Sequence, residues 1–185
     1  MRLIHDLYRT PGRYYHTLRH AQSVAYFSQN WAFDSNLSTQ EIIYCFVAGM
    51  WHDAVYKVGE LDNEELSAQA LLELYPLMQV AADIIRKTTL MDHLSPNITF
   101  ENDPLTAIVL DADLRSLADE YDVFVRHQVN IAKEHGLSKI TAQHCKFLTQ
   151  FLVKDKIYRT PAAAHLEELA RENINRLNEE FGNEE

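Results

Sequence analysis

The sequence predicts an all-α, single-domain helical bundle, and three observations predict it. Only five Gly and five Pro interrupt 185 residues, so few positions force the chain out of regular structure. Between the breaks, apolar residues recur at the i, i+3, i+4, i+7 spacing of a helix face. No fixed-period repeat, low-complexity stretch or Ser/Gly/Pro linker divides the chain, so residues 1–185 read as one domain, long enough to bury a real core.

Clusters of turn formers fall at Thr10-Pro11-Gly12, Asp34-Ser35-Asn36, Lys57-Val58-Gly59, Ser95-Pro96-Asn97, Gly136 and Thr160-Pro161. In the segment from Thr17 to Phe33, Val24, Phe27, Ser28 and Trp31 share a face, and His20 lies one turn ahead on the same stripe. His20 is therefore expected to point inward. Ser38 and Thr39 start a helix expected to run to about Val55, whose uncharged middle, Ile42 to Trp51, predicts burial on every side. That stretch is also too short to span a bilayer.

Asp62 followed by Glu65 resembles a capping box opening a helix with Leu66, Ala70, Leu71 and Leu74 on its apolar face. Further helices are expected over Leu77 to Leu90, from Asp103-Pro104 with Asp as N-cap, over Asp119 to His135, and over Ser138 to Lys156. Thr160-Pro161 is expected to start the last one, its stripe of Leu166, Leu169, Ala170, Ile174, Leu177 and Phe181 serving packing alone. The tail from Gly182 to Glu185 is expected to fray.

A net charge of -10 argues against a nucleic-acid polymer or an anionic membrane as partner, since both are held by clustered Lys and Arg. Cys45 and Cys145 belong to no CxxC pattern and suit a reducing cytoplasm as free thiols. Met1 to Tyr15 has no apolar signal-like core. A soluble, cytoplasmic, unprocessed protein is the expectation.

Two His-Asp pairs occur, and such dipeptides arise readily by chance. His5-Asp6 lies in a polar segment without partners and reads as surface. His52-Asp53 follows directly on the uncharged run, where a buried pair must be satisfied by hydrogen bonds or by a metal ion. His20 and Asp113 reach the same interior from two other helices, Asp113 sharing a side with Val109, Leu110 and Leu117. Periodicity alone leaves two readings open: a metal centre, or polar core residues satisfied by hydrogen bonds.

The blocks Arg13-Tyr14-Tyr15-His16-Thr17-Leu18-Arg19-His20, Trp51-His52-Asp53-Ala54-Val55-Tyr56, Asp62-Asn63-Glu64-Glu65 with Ser67-Ala68, Leu110-Asp111-Ala112-Asp113-Leu114, and Ile157-Tyr158-Arg159-Thr160 with Leu166-Glu167 and Ala170-Arg171-Glu172-Asn173 resemble the small HD-superfamily proteins described as predicted metal-dependent phosphohydrolases. The resemblance runs over most of the chain and implies a bundle of the HD-domain type. It departs at Tyr8 to Arg13, which reads Tyr-Arg-Thr-Pro-Gly-Arg where the family is associated with Glu-Pro-His-Arg before the Tyr-His.

The superfamily pattern maps onto His20, His52, Asp53 and Asp113 as metal ligands, with Asp111 the runner-up for the last place. Two imidazoles and two carboxylates suit one divalent ion, Mn, Fe, Co, Ni, Zn or Mg. Asp53 is also a catalytic candidate, holding a water as well as the ion. Glu64, nearer the Leu66, Ala70 and Leu74 face than Glu65, is the candidate to orient or deprotonate the attacking water. Arg13, His16 and His93 are candidates for binding substrate. The implied reaction is hydrolysis of a phosphate ester or phosphoanhydride in a small phosphorylated metabolite, a nucleotide included. The alternatives are a two-ion site, for phosphodiester cleavage or a diiron oxygenase, and a non-catalytic metal- or nucleotide-binding module; oligomeric state, a homodimer included, stays open.

Overall fold

The computed structural model describes residues 4–183. Among them the regular structure is entirely helical. The α-helices are α1 (Ile4–Leu7), α2 (Leu18–Asp34), α3 (Thr39–Trp51), α4 (Asn63–Leu74), α5 (Gln79–Ile85), α6 (Leu90–Leu94), α7 (Pro104–Leu114), α8 (Tyr121–Glu134), α9 (Ala142–Leu148) and α10 (Glu167–Phe181). Short 3-10 turns cover Arg115–Ala118, Thr149–Phe151 and Ala164–Leu166. No helix among the described residues is long and apolar enough to cross a membrane. Of the tail expected to fray, Glu184 and Glu185 lie outside the described residues, as do Met1 to Leu3.

Helices α2 and α3 form an antiparallel pair joined by a short turn in which Asn36 takes the left-handed conformation, φ 57°. Ser38 accepts from the Glu41 backbone while Glu41 reaches back to Ser38, a capping box that starts α3. The pair meets at Gly49, where a Cβ would lie 2.8 Å from the Ala25 Cα and N. Only glycine lets the two backbones approach this closely.

The helix buried on every side is α7, whose residues from Thr106 to Ala112 are all inaccessible. The expectation placed α3 there. In α3 only Cys45, Ala48, Gly49 and Trp51 are buried, while Ile43 and Phe46 face outward, so absence of charge did not mean burial on all sides. Asp103 starts α7 as expected, its side chain accepting from Thr106 N with Pro104 in the first turn. Gly136 ends α8 with φ 74°, a conformation that costs glycine little.

Five features differ from the sequence reading. Helix α3 stops at Trp51 and leaves His52 as its C-cap. Asp62 makes no cap bond to α4, because Glu65 is drawn instead to Arg86, 2.6 Å away, and to Gln69. The span Leu77 to Leu90 breaks at Thr88, which bonds back to the Ile85 carbonyl, and Thr89, which caps α6. Helix α10 begins at Glu167 rather than at Thr160-Pro161, since the Thr160 N–H donates to Asp111 over 2.7 Å. The span Ser138 to Lys156 likewise contains only α9 and a 3-10 turn. Its neighbours to the C-terminal side are held by side chains: Glu167 accepts from Ile157 N and Tyr158 N, and Arg171 donates to the carbonyls of Leu152, Lys154 and Asp155.

Both cysteines are buried and form no disulfide among the described residues, and burial pushes the Cys45 thiol up to about 12. His5 and Asp6 are exposed, 4.0 Å apart.

Candidate metal centre

His20 in α2, His52 at the end of α3 and Asp113 near the end of α7 bring one ligand atom each within 4.8 Å of one another. The His52 Nε2 is 3.3 Å from the His20 Nε2. The Asp113 Oδ1 is 3.0 Å from His20 Nε2 and 3.5 Å from His52 Nε2. Asp53 adds its Oδ2 at 3.0 Å from His52 Nε2 and 3.6 Å from His20 Nε2. Ligand atoms around an ion bonded at ~2.1 Å sit roughly 3.0–3.4 Å apart, so this spacing suits one divalent ion. His52 Nδ1 donates to the Gly49 carbonyl over 2.8 Å. A carbonyl can only accept, so the His52 ring turns Nε2 toward the cluster.

One orphaned atom supports the fit. The Asp53 Oδ2 is buried without a hydrogen-bond partner, a costly arrangement unless something else satisfies it. With protons alone, burial would lower the His52 pKa, but the carboxylates of Asp53 and Asp113 outweigh it and raise the pKa well above the usual value. Burial opposes the charge on Asp113 too, yet His52, His20 and His93 hold its carboxyl well below the usual range. His52, Asp53 and Asp113 are thus charged groups held in a buried place, and a divalent cation would satisfy them together with His20 without protons.

His93 donates from Nε2 to Asp113 Oδ2 over 2.9 Å, which fixes the Asp113 carboxylate plane. Its backbone is held in turn, because Arg159 Nη2 and Lys154 Nζ both donate to the His93 carbonyl, at 2.7 and 2.8 Å. Arg159 is anchored by Asp111, which accepts from the backbone N–H of Arg159 and Thr160. Asp111 therefore faces away from the cluster, and Asp113 is the acid of the pair that lies beside the histidines.

A cavity of about 240 Å³ opens beside these groups, lined among others by His16, Asp53, Glu64, His93 and Asp113. Burial raises the Glu64 pKa above the usual carboxylate value. Glu65, paired with Arg86, is absent from its walls. Loops that carry the cavity wall are tied by side chains: Ser67 bonds both the N–H and the carbonyl of Val55, and Asn63 does the same for Lys57.

Arg13 does not line this cavity. Its guanidinium donates to the carbonyls of His16, Asp53 and Ala54 at 2.8–3.0 Å and lies over the rings of Tyr8 and Tyr56. With Nε donating to Thr10 Oγ1 over 2.7 Å, the side chain is held behind the site, where it positions the backbone of His16 and Asp53.

Glu134 escaped the sequence reading. Its carboxylate accepts from the backbone N–H of Tyr14, Tyr15 and His16 at 2.7, 2.7 and 2.9 Å and from His16 Nδ1 at 2.5 Å. Burial alone would lower the His16 pKa, but Asp53 and Glu134 raise it. The available signal was an acid in the last turn of a helix, against the macrodipole. His16 also stacks on Tyr56 with ring centroids 4.2 Å apart. No protein-family model, curated protein or solved structure matches this chain.

Proposed function

We propose that this chain is a metal-dependent phosphohydrolase of the HD-domain type, a single cytoplasmic domain acting on a small phosphorylated metabolite, a nucleotide included. The observation that carries the reading is the crowding of His20, His52 and Asp113 ligand atoms, with the orphaned Asp53 Oδ2 beside them, at the wall of a cavity. The sequence blocks that resemble the HD superfamily supply the reaction class.

His20, His52, Asp53 and Asp113 would hold the ion. A divalent ion bound there lowers the pKa of water toward ~7 and polarises a phosphoryl oxygen. Glu64, its proton affinity raised by burial, orients the attacking water and accepts its proton. His16, whose pKa Asp53 and Glu134 raise against the effect of burial, binds a phosphoryl oxygen. His93 keeps Asp113 in place through their 2.9 Å contact.

The test is a panel of nucleotides and phosphorylated metabolites assayed for phosphate release with each of several divalent metals, beside a His52→Ala, Asp53→Ala double variant. Turnover by the wild type and none by the variant is expected. Turnover that survives in the variant, or none with any metal and substrate, overturns the reading.

A further inference from the structure

On the other side of Tyr15 lies a larger cavity, about 510 Å³, whose walls include Arg19, Arg115, Arg126, His127, a single carboxylate, Asp119, and, where it borders the metal centre, His20. The Tyr15 hydroxyl and Ser116 Oγ, 2.6 Å apart, stand between it and the cavity beside Asp53 and Glu64. In a chain of net charge -10, three arginines around one acid are a strong local reversal of sign.

The arginines arrive from three elements: Arg19 from α2, Arg115 from the 3-10 turn and Arg126 from α8. Arg115 is already committed, donating to Asp119 Oδ1 over 2.7 Å and lying over Phe27, its Cζ 4.5 Å from the ring centroid. Arg19 and Arg126 are exposed and have no ion-pair or hydrogen-bond partner. Asp119 is shared by Arg115 and, at 3.6 Å, by His127, so it cannot neutralise the other two. His127 feels the result. Burial lowers its pKa, the nearby Asp119 offsets this in part, and His20, Arg126 and Arg115 lower it further. Its Nδ1 is buried without a hydrogen-bond partner.

We propose that this cavity is a binding site for a phosphate-bearing small molecule, whose phosphate is held by Arg19 and Arg126 with Arg115 fixing the charge behind them. Guanidinium groups match phosphate oxygens bidentately and stay charged at any working pH. Thr17, Ser23 and Asn130 add neutral hydrogen-bonding groups to the same wall. The volume admits more than a bare phosphate, and the Tyr14 ring, itself on the wall and exposed, offers a face for the remainder of the ligand. The site needs no metal ion, so it stands or falls apart from the phosphohydrolase reading.

The experiment is calorimetric titration of inorganic pyrophosphate into the whole chain in excess chelator at low ionic strength. Saturable binding to the wild type at one site is expected, weakened about tenfold or more in each of Arg19→Gln and Arg126→Gln. Arg176→Gln, at an arginine that pairs with Glu180 and lines neither cavity, is expected to bind as the wild type does. As a check that does not depend on variants, the arginine side-chain Nε–H resonances of Arg19 and Arg126 should shift on titration. Absence of saturable wild-type binding, unchanged affinity in both folded variants, or shifts confined to other arginines overturns the proposal.

Discussion

Asp111 and Asp113 stand two residues apart on α7 and are expected to fail in opposite ways when replaced by alanine. Asp111 is fully buried and accepts the backbone N–H groups of Arg159 and Thr160, with the Arg159 guanidinium 3.7 Å away. Removing it strands two buried donors and a largely buried cation. Breaking a buried ion pair from one side costs about 3–5 kcal/mol, and in a chain of this size that lowers the melting temperature by roughly 10 °C. Asp113 accepts no backbone donor. Its two oxygens face His20, His52 and His93 at 2.9–3.5 Å, and the His52 imidazole can relieve its loss by giving up a proton. The metal-free Asp113→Ala protein is therefore expected to stay folded, while its affinity for a divalent ion falls by more than the roughly 100-fold seen when outer-shell partners are lost. Chemical denaturation and metal titration of both apo variants measure the two effects separately. If Asp111→Ala remains stable, or if it weakens metal binding more than Asp113→Ala does, the assignment of the two acids is refuted.

Gly49→Ala is expected to cost about 1–3 kcal/mol, because its Cβ would sit 2.8 Å from the Ala25 backbone; denaturant unfolding reads the loss, and metal affinity should fall with it as α2 and α3 carry His20 and His52 apart. Glu64→Gln should cut turnover about 100-fold, whereas Glu65→Gln removes only a half-exposed pair with Arg86 and should leave the rate near that of the wild type; steady-state kinetics of the two variants decide. The metal-free protein should lose stability as pH rises. His52 has a folded pKa well above 6.5, so its contribution is complete below that value and drains as pH climbs through the folded one. Asp113, with a folded pKa well below 3.8, contributes above that value and loses its share only in acid. Thermal melts with chelator should therefore decline as pH rises above about 6.5, and a saturating divalent ion should remove the decline.

What could be read in advance was whatever depends on local periodicity. The Val24, Phe27 and Trp31 stripe turns His20 inward, and Asp113 is favoured over Asp111 by the resemblance, which implies the second acid of the Asp-x-Asp, as well as by its alignment with Val109 and Leu117. The lean of Glu64 toward the buried face and of Glu65 away from it followed from the same spacing. Contacts between distant segments could not be read this way. Glu134 meets His16 across 118 residues, and Asp111 meets Thr160 across 49, and no pattern within one helix encodes such a meeting. The contact of Arg13 with the Asp53 carbonyl, 40 residues away, is likewise beyond what a local motif encodes. The start of α10 shifted for the same reason: Thr160-Pro161 carries a helix-start signal, but its N–H is claimed by Asp111.

The most direct test of the account is phosphate release measured while a divalent ion is added back to chelator-stripped protein, with the best substrate from the panel in excess. The account predicts no release at the start, a rise that saturates as one ion per chain is bound, and no rise in His52→Ala. Release that is already full before metal is added, or that rises equally in His52→Ala, would contradict it.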